Sequence, residues 1–337
     1  MHVNTQGLCI VRLCIRTGVG RCCGVRPSKF RTFARHGPPH GAARTAPRRG
    51  TTRPGVAWHD AARRAPIGAG GHDGSVELHP SSVAAWAGVE LRGPLPGGAR
   101  NQVLLAERGS DLLVVRHSGR SAPALDWELD LLEFLDVHSI EVPRTVSSDD
   151  GRRHVDGALI YRFIDGRPPR DREDWQRAVA VLTAIHEMTA GWPQRPGFAS
   201  SRRLLTADRG GDVRLDAMPH KAVEAVRAAW RPIVTGPECV NHGDVGGGNI
   251  LVTEAGVALL DWDESRVDVP WFDFAFLPPD VAADVPVEAE ALSLAGVAWE
   301  AATCWTAEPD YAARRLAELY ARGAAKPHDV GTDASDL

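Results

Sequence analysis

The feature that constrains this chain most lies between Val240 and Asp263. Val240-Asn241 leads into His242-Gly243-Asp244-Val245-Gly246-Gly247-Gly248-Asn249, and the apolar run Ile250-Leu251-Val252 follows. The chain then turns at Glu254-Ala255-Gly256, runs through Val257-Ala258-Leu259-Leu260, and ends in Asp261-Trp262-Asp263. Two short apolar runs around a Gly-containing turn read as a β-hairpin. A hairpin sets the residue before its first strand beside the residue after its second. Asn249 and Asp261 therefore converge at one open end, with Asp244 carried before them on a tight Gly-rich loop. Taken singly, each acid fits an ordinary turn or strand end. It is the combined spacing that carries weight.

The charge is divided unevenly along the chain. Residues 1–75 hold 13 Lys and Arg against two acids, Asp60 and Asp73; the remainder holds 26 against 41. The first segment has no sustained apolar period, and 18 of its 75 residues are Gly or Pro. Such a composition buries too little apolar surface to offset chain entropy, so 1–75 reads as a disordered basic extension. A translated upstream segment, a transit peptide and a nucleic-acid-binding tail remain alternatives, although no interleaved aromatics support the last. Arg12 and Arg16 interrupt the one apolar run that could act as a secretory signal, so a cytoplasmic location is expected. No run reaches the roughly 18 apolar residues of a membrane span. Four of the six Cys lie before residue 24, which excludes a disulfide-stapled body.

From about residue 76 the pattern becomes regular. Val103–Ala106 and Leu112–Val115 flank the turn Arg108-Gly109-Ser110, predicting a hairpin. Leu125, Leu129, Leu132 and Leu135 recur at helical spacing, and 158–164 reads as a strand. Helical stripes then follow at Trp175–Ile185, Val223–Trp230, 287–305 and 311–320. Strands first and helices later predict an α+β fold with a small β-rich lobe at 76–163 and a larger, mostly helical lobe at 164–325. Residues 326–337 read as a flexible tail.

His-x-Asp-x₄-Asn followed by a strand-end Asp matches the chemistry of phosphoryl transfer. That reaction needs a carboxylate to orient an acceptor hydroxyl and oxygen ligands for a phosphate-bridging Mg²⁺. The stretch resembles the aminoglycoside phosphotransferase and choline kinase-like family, which has the two-lobed protein-kinase-like fold. The resemblance covers about 90 to 325 and extends through Arg266-Val267-Asp268-Val269-Pro270 and Asp273-Phe274-Ala275. It implies ATP and Mg²⁺ as cofactors, Asp244 as catalytic base, and Asn249 and Asp261 as metal ligands. It also implies that Gly97, Gly98 and Asn101 form a nucleotide loop and that Glu128 pairs with a strand cation. Tyr161 and Phe163 would border an adenine-binding hinge, and Asp273 would steady the catalytic loop.

Two departures stand out. The chain has three Lys, at 29, 221 and 326, so Arg116 stands where the family's strand lysine would fall. Arg can hold phosphate oxygens, but it is not equivalent to Lys. Three glycines, Gly246 to Gly248, also loosen the loop. A nucleotide-binding module without catalysis therefore stays open as an alternative. The expected partner is a small-molecule hydroxyl acceptor. Asp280, Asp284, Glu288, Glu290 and Glu300 would favour a cationic one, although the same charges fit a solvated face. Neither nucleic acid nor membrane is expected as a partner.

Overall fold

The computed structural model describes residues 80–95, 102–278, 281 and 285–324. The basic segment 1–75, the loop holding Gly97, Gly98 and Asn101, Asp280, Asp284 and the 326–337 tail lie outside the described residues.

Strands β1 (Glu90–Pro94), β2 (Gln102–Arg108), β3 (Asp111–His117) and β4 (Ala158–Arg162) form an antiparallel sheet in chain order. The β2–β3 turn is tight because Gly109 takes φ +63°. Between β3 and β4 runs helix α1 (Ala122–Val137), which has Pro123 in its first turn, where no helical N–H is lost. The Leu125, Leu129, Leu132 and Leu135 stripe of α1 is buried in the main core. The other face of the sheet closes over Trp86, Leu104, Ala106, Leu113, Val115 and Ile160.

The rest is mostly helical. Helix α2 (Arg172–Met188) starts where the Asp171 side chain accepts the Asp174 N–H at 3.0 Å. A single turn, α3 (Ser201–Leu204), and the two-residue hairpin strands β5 (Arg209–Gly210) and β6 (Val213–Arg214) lead to α4 (His220–Trp230). Then come β7 (Cys239–Asn241), the hairpin β8 (Ile250–Val252) and β9 (Val257–Leu259), and β10 (Arg266–Asp268). The short α5 (Trp271–Phe274), α6 (Ala289–Thr303) and α7 (Pro309–Ala324) complete the described chain. Leu182, Ile185, Val226, Trp230, Phe272 and Trp299 fill the core between these helices.

The α+β order expected from the sequence is present, with shifted ends. The 158–164 strand stops at Arg162, and the last helix runs past Tyr320 to Ala324. The pairing of β10 with β7 was not anticipated. It joins two three-residue strands across the whole β8–β9 hairpin, and so short a pair leaves no periodic trace. No helix among the described residues is long and apolar enough to cross a membrane.

Candidate active site

The β8–β9 register aligns Ile250 with Leu259, and the Leu260 N–H then donates to the Asn249 carbonyl at 2.8 Å. Asn249 and Asp261 thereby meet at the open end, as the spacing predicts. Asn249 Nδ2 donates to Asp244 Oδ2 and to the Asp244 carbonyl, both at 2.9 Å. This commits the amide nitrogen and leaves Oδ1 as the remaining ligand atom. Asp244 is exposed at the tip of the loop.

The loop is fixed from below. Gly243 sits at φ +89°, where a Cβ would fall 2.5 Å from the Glu264 carbonyl. The buried Asp273 accepts the His242 N–H with Oδ2 and the Gly243 N–H with Oδ1, each at 2.9 Å, and His186 Nε2 lies 2.9 Å from Oδ2. Burial works against the Asp273 charge, but His186, His242 and the Gly243 N–H together outweigh it and hold this carboxyl below its ordinary range. His242 is buried. Its Nε2 donates to the Leu260 carbonyl at 2.7 Å, and its Nδ1 accepts the Asp244 N–H at 3.3 Å. Its lone pair is thus spent on the loop backbone.

Arg116, on β3, is 5% exposed and donates through Nη2 to Glu128 Oε1 on α1 at 2.7 Å. Its Nη1 stands 3.7 Å from Asp261 Oδ1. Desolvation opposes the Arg116 charge, yet Glu128 together with Tyr161, Asp263 and Asp261 more than restores it. Tyr161, assigned by resemblance to the border of the hinge, directs its hydroxyl to Glu128 Oε1 at 3.4 Å. The Phe163 N–H, also assigned to the hinge, is taken by the Leu112 carbonyl at 3.1 Å.

Asp261 adopts φ +56°, a left-handed conformation uncommon outside glycine. Its Oδ1 is buried without a hydrogen-bond partner. Burial pushes its carboxyl up, Arg116 opposes this, and the charges of Asp263 and Asp244 add to it. A buried carboxylate oxygen without a hydrogen bond, at the hairpin end that also carries the Asn249 amide, is a donor set suited to a hard cation that keeps few protein ligands, as Mg²⁺ does. Asp263, two residues on, is buried. It accepts from Ser118 Oγ at 3.2 Å and from Arg120 Nη2 at 2.8 Å. Burial opposes its charge, but Arg116 and Arg120 hold its pKa at about 2.

Two site residues, Arg195 and Asp212, escaped the sequence reading. Arg120 also forks onto Asp212 at 2.6 and 2.7 Å. Arg195 reaches Glu128 Oε2 with Nη2 at 2.8 Å. Arg195 and Asp212 lie in loops without periodicity, where sequence gives no signal. The acids expected to attract a cationic acceptor are partly consumed. Glu290 pairs with Arg322 at 3.0 Å and Glu300 with Arg315 at 2.6 Å.

The profile of the phosphotransferase enzyme family matches residues 93–317, a span containing every element from β2 to α6. The chain belongs to this family. Among solved structures, this phosphotransferase is similar to a microcompartment-associated aminopropanol kinase (TM-score 0.50, 17% identity, 72% of this chain and 94% of that one). It is also similar to the choline kinase LicA from Streptococcus pneumoniae (TM-score 0.48, 16% identity, 72% and 95%). A third similar structure is a choline/ethanolamine kinase family protein from Mesorhizobium loti (TM-score 0.43, 20% identity, 74% and 92%). At such identities the likeness bears on the fold alone. No curated protein matches the sequence.

Proposed function

We propose that this phosphotransferase moves the γ-phosphoryl group of ATP to a hydroxyl of a small molecule, with Asp244 as the catalytic base. The observation that carries the reading is the junction of Asp244, Asn249 and Asp261 at one open end, beside the Arg116–Glu128 pair. Asp244 is exposed and therefore accessible to an acceptor. It orients the acceptor hydroxyl and takes its proton as the phosphoryl group leaves ATP. The Asn249 amide holds the Asp244 carboxylate in one orientation. Asn249 Oδ1 and Asp261 are the atoms that would hold Mg²⁺, which when bound offsets phosphate charge. Arg116, kept charged by Glu128, contacts phosphate oxygens in place of the family's lysine. Gly97, Gly98 and Asn101 would complete the nucleotide loop. With Glu290 and Glu300 paired, a cationic acceptor would have to be recognised by other carboxylates.

A panel of hydroxylated amines, sugars and amino acids, assayed for ATP consumption, tests the reading. Asp244→Asn keeps ATP affinity and loses about 10²–10⁴ in turnover on any accepted compound. Normal turnover in this variant refutes the assignment. ATP binding by the parent without transfer to any acceptor would instead favour a non-catalytic nucleotide-binding module, the reading prompted by Arg116.

A further inference from the structure

Glu128 is shared between two arginines. Oε1 accepts from Arg116 Nη2 at 2.7 Å, and Oε2 accepts from Arg195 Nη2 at 2.8 Å. A guanidinium and a carboxylate ordinarily meet through two parallel N–H···O bonds. Arg116 makes no such fork: the carboxylate is turned with Oε2 on Arg195 and only Oε1 on Arg116. It therefore holds Glu128 by one nitrogen, while its Nη1 stands 3.7 Å from Asp261 Oδ1 and its Nε is buried without a partner.

Arg195 itself is firmly fixed. It is 1% exposed, and its Nε donates to the Ala124 carbonyl at 3.1 Å. Its Nη1 serves the carbonyls of Trp262, Asp263 and Ser265 at 3.1, 2.9 and 3.2 Å. The guanidinium carbon lies 4.6 Å from the Phe198 ring centre. The neighbouring Gln194 pins β10 through both its amide atoms, with Nε2 2.8 Å from the Val267 carbonyl and Oε1 3.0 Å from the Val267 N–H. One loop thus grips the α1 carboxylate and the turn that follows Asp261.

We infer that Arg195 is a positioning residue for the nucleotide. By holding Glu128 Oε2 it keeps the carboxylate turned so that one oxygen faces Arg116, and so leaves Arg116 Nη1 available to a phosphate oxygen of ATP. This rests on the proposed reading of the site as an ATP site. It adds a reason why arginine can stand in the lysine position. A lysine offers one nitrogen and cannot be withdrawn into a fork, whereas an arginine can, unless a second cation holds its carboxylate partner turned away.

The test is a binding titration of ATP and of adenosine, the latter reporting the pocket without phosphates. The proteins are the parent, Arg195→Met and Arg195→Lys, with the Met change repeated in an Arg116→Lys background. Arg195→Met weakens ATP binding by about tenfold, as expected when a charge-assisted bond to phosphate is lost. Adenosine binding stays within about twofold of the parent. Arg195→Lys, whose ammonium still occupies Oε2, restores most of the ATP affinity. In the Arg116→Lys background the Met change has little further effect. An equal fall for ATP and adenosine, or unchanged ATP affinity, overturns the proposal. If Arg195→Met does not fold, Arg195→Gln takes its place, and failure of both to fold makes Arg195 structural only. A parent that fails to prefer ATP over adenosine would sink the ATP reading itself, which separates the two failures.

Discussion

Gly243→Ala probes how tightly the loop before Asp244 is held. The added methyl meets two penalties. Gly243 lies at φ +89°, where an L-residue is strained by roughly 1–2 kcal/mol. Its Cβ would also stand 2.5 Å from the Glu264 carbonyl and 3.0 Å from Arg266 Nη1. The first contact is with backbone, and relieving such overpacking costs about 1–3 kcal/mol. The sum is about 2–5 kcal/mol, a fall in Tm of roughly 4–20 °C for a domain of this size. The relief must come from the 242–244 segment or from the 261–266 turn, so Asp244 or Asp261 moves. A shift near 1 Å costs on the order of 10² in turnover. Gly246→Ala is the internal control: its φ is not in the left-handed region, and nothing lies within 4 Å of the point its methyl would occupy. It should leave Tm unchanged or raise it slightly by restricting the unfolded chain. Thermal unfolding and ATP turnover read both variants. A Gly243→Ala protein within about 1 °C and twofold of the parent would refute the claim that this turn fixes the loop.

Asp261→Asn should weaken ATP binding in the presence of Mg²⁺ and change it little without the ion; equal affinity under both conditions would remove Asp261 from the metal site. Arg116→Ala should lower ATP affinity by about tenfold or more, a loss comparable to one or two charge-assisted bonds, while Arg116→Lys keeps much of it in the same titration. Asp273→Asn should alter the acid side of the stability profile. Because the folded carboxyl is held below its unfolded value of about 3.9, its stabilisation is present above that pH and is lost as pH falls through the lower folded value. Urea unfolding across pH 2–6 should therefore show a shallower acid slope in the variant than in the parent.

The parts of the site legible in the sequence are local. Asn249 and Asp261 are joined by a hairpin whose turn and strands lie wholly between them, so spacing alone brings them together. Arg116 and Glu128 are twelve residues apart, across one strand end and one helix start. Asp273 sits about thirty residues from the N–H groups that it accepts, and only the family resemblance drew attention to it. Arg195 lies 67 residues from Glu128, and Arg120 lies 92 from Asp212. No period or turn signal links such pairs. Their meeting depends on how α1, the 193–200 loop and the β5–β6 hairpin pack. Arg195 also sits between two prolines, in Trp192-Pro193-Gln194-Arg195-Pro196, with no period around it to mark a buried side chain. Its burial is possible because four backbone carbonyls and one carboxylate replace the water it would otherwise hold.

Those long-range arginines also divide labour between the two acids of Asp261-Trp262-Asp263. The two carboxylates are two residues apart, Asp263 buried and Asp261 half-buried, yet their proton affinities move in opposite directions. Asp263 is held at about 2 because Arg116 and Arg120 overcome its burial. Asp261 is pushed up because burial and the neighbouring Asp263 and Asp244 charges outweigh Arg116, which reaches it only at 3.7 Å. A cation arriving at Asp263 would have to displace guanidinium bonds of 2.8 and 3.1 Å. At Asp261 it would meet an oxygen with no hydrogen bond to lose. Under the proposed function this difference selects the metal ligand: Arg120 satisfies the second acid, so the first remains as the carboxylate that gains most from a divalent ion. The left-handed backbone at Asp261 turns the chain between the two, which lets one acid face the arginines while the other stays at the hairpin's open end.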